Sequence, residues 1–220
     1  MATVGPVSDP GARWLADAGF RARCQANLNN FPVAAAEGIT PGRRHSAVAL
    51  CIEAGPDGDA CLVITQRAAG LRRHAGQYAL PGGRVDPGED AIAAALREAE
   101  EEVALVCTRD DVLGLLDDYV TRAGDIITPV VVWGPPGAAL VPNPVEVAAV
   151  HLVPIAGFDH PEAPRLLVIP ESDRPVIQMP VFGNWIHAPT AAVLYQFREV
   201  AVHGRTTRVS QYEQPTWAWP

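Results

Sequence analysis

The stretch LPGGRVDPGEDAIAAALREAEEEVAL, residues 80–105, decides the fold. Near its end stand four glutamates within five positions: Glu98, Glu100, Glu101 and Glu102. On a helix, at about 100° per residue, Glu98, Glu101 and Glu102 fall on one face, whereas Glu100 points away into solvent. Like charges at this spacing repel by about 0.2–0.5 kcal/mol per pair. The crowding therefore requires either a bound cation or full solvation of that face.

Three carboxylates that converge on one face form an oxygen-rich site suited to Mg²⁺ or Mn²⁺. A solvated acidic face is the alternative that the charge pattern alone leaves open. Two neighbouring features favour the cation. The glycine-rich turn before the helix can bring backbone amides to a phosphate, and three arginines upstream can bind further phosphate oxygens. These arginines are Arg67, Arg72 and Arg73.

The helix that carries the glutamates is predicted from about residue 91 to residue 103. Its apolar residues recur at helical spacing and should face the core; they are Ile92, Leu96, Ala99 and Val103. Ahead of the helix, Asp86 and Asp90 are predicted to be turn and cap residues.

The stretch resembles the signature of the Nudix hydrolase superfamily, G-x5-E-x7-R-E-U-x-E-E-x-G-U, in which U is aliphatic. The matching residues are Gly83, Glu89, Arg97, Glu98, Glu101, Glu102 and Leu105, and every charged position has the right spacing. Two positions depart from the signature: Ala99 is small for an aliphatic slot, and Ala104 replaces the last glycine. Because that glycine would often be left-handed past a helix end, alanine costs about 1 kcal/mol.

The resemblance implies a divalent-metal-dependent hydrolase that cleaves a nucleoside diphosphate linked to another group. The metal ligands that it implies are Glu98, Glu101 and Glu102. It also implies that Arg97 orients the glutamates and that Glu89 supports the loop or adds a metal contact. Metal would polarise the diphosphate and lower the pKa of the attacking water. The catalytic base stays open between Glu101, Glu102 and a carboxylate of a later loop, for which Glu146 is the candidate.

A second motif lies upstream, in VITQRAAGLRRHAGQYALPGG, residues 63–83. It resembles L-L-T-x-R-[SA]-x3-R-x3-G-x3-F-P-G-G of the coenzyme A pyrophosphatase branch, and only aliphatic positions differ. Coenzyme A carries a 3′-phosphate besides its diphosphate, so it needs more cationic partners than a simple nucleotide sugar. The residues expected to bind substrate are Arg67, Arg72, Arg73, Gly82 and Gly83, with His74 as a further candidate. The implied products are 3′,5′-ADP and phosphopantetheine, or acyl-phosphopantetheine from an acyl derivative.

Other interpretations stay open. The arginines could be solvated loop residues, and the enzyme could be a Nudix hydrolase of another ADP-linked diphosphate such as ADP-ribose or NADH. A third possibility is a Nudix-fold protein that senses a nucleotide without cleaving it. The intact Arg97-Glu98 and Glu101-Glu102 pairs argue against such a sensor, which need not keep a metal-activating face.

The order of elements predicts an α+β fold, a Nudix-type α/β/α sandwich with a mixed β-sheet. We expect an N-terminal helical leader at 1–40, the Nudix hydrolase domain at 41–203 and a tail at 204–220. A helix is predicted from an Asp9-Pro10 cap to about Leu28. Predicted strands cover 46–52, 61–66, 112–120, 126–133, 147–153, 166–169 and 175–179, and a second helix covers 190–202. Residues 155–188 are expected to contribute to the substrate pocket or to a dimer interface. Packing of the tail is favoured over a substrate-stacking role for Trp217 and Trp219.

The 220-residue chain has a globular composition, with 48% hydrophobic and 19% charged residues. Its net charge of −8 provides no basic field to attract nucleic acid. The N-terminus does not resemble a secretory signal, and the most apolar run, residues 126–141, is interrupted by prolines and too short to span a bilayer. The four cysteines show no CxxC pairing, which predicts reduced thiols. We therefore expect a cytoplasmic enzyme for a small nucleoside diphosphate, with no nucleic-acid or membrane partner and with a homodimer left open.

Overall fold

The computed structural model describes residues 3–4, 13–36, 43–71 and 74–219. The helices of this part of the chain are α1 (Ala18–Asn29), α2 (Ala91–Val103) and α3 (Thr190–Phe197). The strands are β1 (Thr3–Val4), β2 (His45–Ala54), β3 (Ala60–Arg67), β4 (Tyr78–Ala79), β5 (Gly82–Arg84), β6 (Val112–Leu115), β7 (Tyr119–Val120), β8 (Ile126–Trp133), β9 (Val147–Pro154), β10 (Arg165–Ile169), β11 (Ser172–Val181) and β12 (Asn184–His187).

Most strands form one mixed sheet in the order β1-β9-β3-β2-β8-β6, to which β4, β5 and β7 add at β3, β2 and β8. The β2–β8 and β1–β9 pairs are parallel, whereas the other pairs are antiparallel. The strands β10, β11 and β12 form a separate antiparallel sheet. This mixture agrees with the predicted class of sheet.

Helix α2 covers one face of the large sheet through its smallest side chains. Ala94, Ala95 and Ala99 are fully buried in a cluster with alanines and valines of β2 and β8. The predicted apolar stripe is confirmed: Ala99 and Val103 are buried in this cluster, and Ile92 and Leu96 are partly buried and pack against it. The small alanine side chains let the helix approach the sheet closely. The helix residues buried most deeply against the sheet are therefore alanines, and the larger Ile92 and Leu96 lie at the edge of the contact.

The opposite face of the sheet is covered by α1, α3 and the small sheet. Phe20 and Leu28 of α1 share a core cluster with Leu50 of β2 and Leu194 of α3. Helices therefore lie on both faces of a mixed sheet, and the predicted α/β/α sandwich is confirmed. Since α1 and Tyr212 of the tail belong to this cluster, the flanking segments share the core of the middle region; the domain boundaries stay a prediction.

Helix α1 begins at Ala18, where the side chain of Asp17 accepts a hydrogen bond from the amide of Phe20 at 2.8 Å. The predicted start was therefore wrong, since residues 13–17 are not helical; the Asp9-Pro10 pair itself lies outside the described residues. Asp17 is an equally good cap and is followed directly by residues that bury apolar side chains.

The segment predicted as one strand at 112–120 is interrupted. Asp117 and Asp118 turn their carboxylates to the amides of Ala34 and Ala36, at 2.7 and 2.8 Å. These bonds tie the segment after α1 to the sheet and separate β6 from β7. The predicted helix at 190–202 also changes character, because a π-helical segment, Arg198–Val202, follows α3.

The remaining predicted strands are confirmed to within a few residues, whereas β4, β5 and β12 were not predicted. All four cysteines are free thiols, as predicted: Cys24, Cys51, Cys61 and Cys107. Among the described residues, no helix combines the length and the apolar character that crossing a membrane requires.

Candidate active site

Helix α2 is fixed at both ends. Asp90 caps its start, since its carboxylate accepts a hydrogen bond from the amide of Ala93 at 2.8 Å. Before it, the amide of Asp86 donates to the Glu89 carboxylate at 3.1 Å within a turn, so the predicted turn and cap roles are confirmed. At the far end, Ala104 adopts the left-handed conformation, with φ 57° and ψ 26°, where the signature has glycine.

Arg97 is the centre of the acidic cluster. Its Nε and one Nη bind the two carboxylate oxygens of Glu89 at 3.1 and 3.2 Å, which is a bidentate pair. The other Nη donates to Glu98 and to Glu101, both at 2.9 Å, and a further bond reaches the carbonyl of Arg84 at 3.0 Å. The guanidinium therefore ties the loop, β5 and two helix glutamates together, in line with the orienting role that the resemblance implied.

The signature glycines allow β5 to approach its neighbours closely. A Cβ on Gly82 would lie 2.5 Å from the carbonyl oxygen of Ala47 in β2, and a Cβ on Gly83 would collide with the carboxylate of Glu98. Glu98 thus lies directly against the backbone of β5. Both glycines were predicted to bind substrate, but of the two only Gly82 lines a cavity.

Glu102 is the most buried carboxylate of the cluster, with 3% of its surface exposed. Burial, followed by the negative charges of Glu98 and Glu146, raises its pKa to about 8, although Arg67 and an amide of Gly82 act in the opposite direction. Burial also raises the pKa of Glu98. Without a cation, the protein therefore holds Glu102 largely as the neutral acid at pH 7.

Glu146 comes to this cluster through a loop that is fastened to the end of α2. The amides of Val141 and Asn143 donate to the carbonyls of Val103 and Glu102, both at 2.9 Å, and the carbonyl of Glu146 accepts from the amide of Ala68 at 2.8 Å. The loop therefore runs from the end of α2 to the end of β3. The later-loop carboxylate proposed from the sequence lies close enough to raise the pKa of Glu102.

Arg67, the last residue of β3, lies close enough to Glu102 to lower its pKa. Its Nε is buried and has no hydrogen-bond partner among the described residues, and its side chain lines a cavity of about 250 Å³. A buried guanidinium nitrogen without a partner favours an anion as ligand. Arg72 and Arg73 lie outside the described residues. His74 lines the same cavity, and its Nδ1 lies 3.1 Å from Oε1 of Gln77.

The rest of this cavity consists of residues that were not predicted to bind substrate. Beside Arg67, Gly82 and His74 they are Val48, Gln77, Tyr78, Ala79, Leu80, Ile127, Pro189, Thr190 and Val193. Four of them, residues 77–80, lie within the second motif, whereas the others come from three further segments that no local pattern marks as neighbours. Most of the remaining lining is apolar, with His74, Gln77 and Thr190 as polar members, which fits a ligand with a charged centre and a less polar extension.

The donor set suits a hard divalent cation, but the described side chains do not yet form a cage. Glu101 turns to Arg97, and no group of three or more histidine, cysteine, aspartate or glutamate side chains in the described ranges is placed to hold an ion. The convergence of Glu98, Glu101 and Glu102 stays a prediction: Glu98 and Glu146 lie close enough to raise the pKa of Glu102, whereas Glu101 would have to turn from Arg97. Repulsion that raises the pKa of Glu102 is what a cation would relieve, so the residues fit Mg²⁺ or Mn²⁺.

The fold and this cluster define a Nudix protein. Residues 43–171 match the model of the NUDIX domain family, and the chain belongs to that family. The match contains the whole acidic cluster, Arg67 and Glu146. It ends before β11, so β12, α3 and the tail lie beyond it.

Named relatives agree with this assignment. The chain is 44% identical over 119 residues to the uncharacterized Nudix hydrolase NudL of Photorhabdus laumondii, covering 54% of this chain and 63% of that protein. It is 44% identical over 122 residues to NudL of Escherichia coli K12, covering 55% and 62%. The chain thus spans less than two thirds of the length of these relatives. A MutT/nudix family protein from Enterococcus faecalis overlaps with a TM-score of 0.47 at 14% identity, covering 69% of this chain and 53% of that one, which is too low to carry an argument.

Proposed function

We propose that the chain is a divalent-metal-dependent Nudix pyrophosphohydrolase that cleaves coenzyme A or acyl-coenzyme A to 3′,5′-ADP and phosphopantetheine or its acyl form. The proposal depends on one juxtaposition: Arg67 of the coenzyme A-type motif, which lines a cavity, lies close enough to Glu102 of the Nudix signature to lower its pKa. These two residues are 35 positions apart in the sequence. Their meeting provides a binding group for phosphate next to a group of carboxylates.

The cation, Mg²⁺ or Mn²⁺, would be held by Glu98, Glu101 and Glu102, with Glu89 as a further contact. When bound, it would polarise the diphosphate and lower the pKa of the attacking water. Arg97 holds Glu89, Glu98 and Glu101 in one network, so it would keep the ligands together before the cation arrives.

The other residues of the chain would bind and orient the substrate. Arg67 would bind non-bridging oxygens of the diphosphate, because its Nε has no other partner in the described part of the chain. Arg72 and Arg73 would bind the remaining phosphate charge, including the 3′-phosphate. The amides of β5 at Gly82 and Gly83 would contribute neutral donors.

In the reaction, the water oxygen bonds to one phosphorus, and the bridging P–O bond breaks. The bridging oxygen leaves on the other phosphate, and the water proton passes to a carboxylate. We assign that proton to Glu146, with Glu101 and Glu102 as the rival bases. Glu146 is favoured because it faces Glu98 and Glu102 from a separate loop, so it can take a proton without being a ligand itself.

Product identification tests the proposal most directly. The purified chain would be incubated with coenzyme A and Mg²⁺ or Mn²⁺ in ¹⁸O-labelled water, and the products would be identified by mass spectrometry. We expect 3′,5′-ADP and phosphopantetheine, with the label on one of them, which identifies the phosphorus attacked. Equal turnover of dephospho-coenzyme A would contradict a role for the 3′-phosphate, and preferred turnover of ADP-ribose or NADH would replace the substrate.

Binding of coenzyme A without turnover of any diphosphate, with both metals tested, would instead favour a nucleotide sensor. Four free thiols support placing the enzyme in a reducing compartment, which we propose to be the cytoplasm. The homodimer also stays a proposal. Of residues 155–188, which were predicted to serve a pocket or a dimer, Asn184–Ala188 line a cavity.

A further inference from the structure

The cavity at Arg67 adjoins a second cavity of about 270 Å³. The two share five lining residues: His74, Gln77, Tyr78, Pro189 and Thr190. We refer to the two adjoining cavities as the groove, which is lined by Arg67 and Gly82 at one end and by residues of the C-terminal tail at the other. The two cavities together have the size of a small-molecule site, about 300–1,000 Å³.

The second cavity is built largely by segments beyond the NUDIX family match. That match ends at residue 171, whereas the far wall of the cavity comes from β12 with the residues after it, and from the tail. Trp185 and His187 represent the first segment, and Gln214 and Trp217 the second. The acidic cluster lies within the matched range, whereas most of the second cavity's lining lies outside it.

The tail is fixed to the rest of the fold by hydrogen bonds, so it can form one wall of the second cavity. Glu213 is 1% exposed and accepts hydrogen bonds from Arg122 at 2.8 Å and from Ser172 at 3.2 Å. The side chain of Gln214 accepts from the amide of Arg122 at 2.7 Å. The guanidinium of Arg122 also lies 4.1 Å from the ring centroid of Trp219. Trp219 is thus used in packing, as predicted.

Trp217 differs from Trp219 in its exposure, and its packing onto a dimer partner stays a prediction. Its side chain is 60% exposed, lines the second cavity, and meets His187 edge-on with ring centroids 5.6 Å apart. The indole is presented by a tail that is anchored through other residues. An exposed, fixed aromatic ring at a cavity offers a flat contact surface at low conformational cost.

The second cavity is chemically unlike the first. Among its described lining residues there is no aspartate, glutamate, lysine or arginine. Burial lowers the pKa of His187, and Nε2 of Gln178 donates to Nε2 of His187 at 2.7 Å. The neutral imidazole then carries its proton on Nδ1. With the carboxamides of Gln77, Asn184 and Gln214, the wall offers neutral hydrogen-bonding groups beside apolar surface.

We propose that this second cavity binds the neutral, amide-bearing arm of the substrate, of the pantetheine type, with Trp217 as its contact platform. Among the described lining residues a phosphate would find no cation, whereas amide groups would find donors, acceptors and an aromatic face. The inference rests on the proposed function, since the diphosphate at Arg67 determines which end of the groove the arm enters. It makes Trp217 and His187 specificity-determining residues for that arm.

Binding of the two product halves tests the subsite. Calorimetry without metal would measure phosphopantetheine and 3′,5′-ADP against the wild-type chain, Trp217→Ala, Trp217→Phe and Trp219→Ala. We expect Trp217→Ala to weaken phosphopantetheine binding about tenfold and to leave 3′,5′-ADP within twofold. Trp217→Phe should restore most of the affinity. Trp219→Ala is the matched control on the same tail, and we expect it to bind both halves as the wild type does.

Several results would overturn the inference: undetectable phosphopantetheine binding by the wild type, unchanged binding by Trp217→Ala, or a loss for 3′,5′-ADP instead. The last result would place the base, not the arm, at Trp217. Thermal unfolding of each variant shows that the fold is intact. If the wild type binds phosphopantetheine through Trp217 but does not hydrolyse coenzyme A, the proposed function fails and the subsite stands.

Discussion

Two glutamates of this protein, Glu53 and Glu102, are both buried and both have a raised pKa, but they have different neighbours. Their exposed fractions are 6% and 3%, and burial is the main cause that raises their pKa values, to about 7 and about 8. Glu102 faces other charged groups, namely Glu98, Glu146 and Arg67. Glu53 lies over the backbone of Gly134, and its Oε1 has no hydrogen-bond partner among the described residues.

The comparison shows that burial alone does not make a functional carboxylate. Burial explains a raised pKa at both positions, but of the two only Glu102 is also influenced by neighbouring charges, one of which, Arg67, lines a cavity. A cation would therefore stabilise the charged form of Glu102, whereas Glu53 has nothing to compensate its charge. The following variants test this difference, from the largest expected effect to the smallest.

Glu102→Gln should abolish most of the metal-dependent turnover, by about 10³-fold or about 4 kcal/mol of transition-state stabilisation. Glutamine resembles the neutral acid that the fold holds at pH 7, so the melting temperature should stay near that of the wild type. Steady-state kinetics with coenzyme A and thermal unfolding check both parts. An active variant would remove Glu102 from the site, and Glu100→Gln, at an exposed position of the same helix, serves as the matched control.

Glu53→Gln should change stability and leave turnover unaltered. Burial raises the pKa of Glu53 from its ordinary value of 4.5 to about 7 in the fold, so at pH values between these two the folded state keeps a proton that the unfolded state loses. The contribution of Glu53 to the free energy of unfolding of the wild type is fully present below pH 4.5. It decreases by about 3 kcal/mol as the pH rises toward 7. Glutamine does not titrate.

The measurement for Glu53→Gln is denaturant unfolding of both proteins between pH 4.5 and pH 8. The difference in free energy of unfolding, variant minus wild type, should rise by about 3 kcal/mol over that range. A constant difference would mean that Glu53 is charged or solvated in the fold. A parallel loss of turnover would place Glu53 in the site and end the contrast with Glu102.

The sequence was sufficient to predict the part of the site that lies within one continuous segment. Asp90, the alanine-rich run and the glutamates lie on one continuous helix, so capping and periodicity were enough to define α2, whose observed bounds match the predicted ones. Strands β4 and β5 were missed because they are two and three residues long. Their pairing depends on distant β3 and β2, which no local pattern reveals.

The rest of the site depends on distances that only the fold defines. Arg67 was predicted as a phosphate ligand, but its position beside Glu102 follows from the pairing of β3 with its neighbours. The groove under the tail joins segments near residues 77, 187 and 217. Nothing in the composition of these segments marks them as adjacent, so Trp217 was assigned to packing together with Trp219.

Gly83→Ala tests whether the position of Glu98 depends on its close approach to the backbone of β5. A Cβ at this position would collide with the carboxylate of Glu98, so we expect Glu98 to be displaced and turnover to fall about 10- to 100-fold. Gly157→Ala is the matched control, because its Cβ would meet nothing within 4 Å. Kinetics at several Mg²⁺ concentrations should show a smaller increase of turnover with added Mg²⁺ for Gly83→Ala than for the wild type. Unchanged kinetics would mean that Glu98 can move aside for the new Cβ without loss of turnover.

Ala104→Gly gives the smallest effect and separates the stability of α2 from its chemistry. Ala104 is left-handed, at φ 57° and ψ 26°, where a side chain costs about 1–2 kcal/mol that glycine avoids. Glycine gains freedom in the unfolded chain, which offsets part of this, so we expect a net gain of about 1 kcal/mol in denaturant unfolding. Turnover should not change, because the carboxylates of α2 keep their partners. A less stable variant would show that the helix end depends on the methyl group of Ala104, and altered turnover would show that this end positions Glu102.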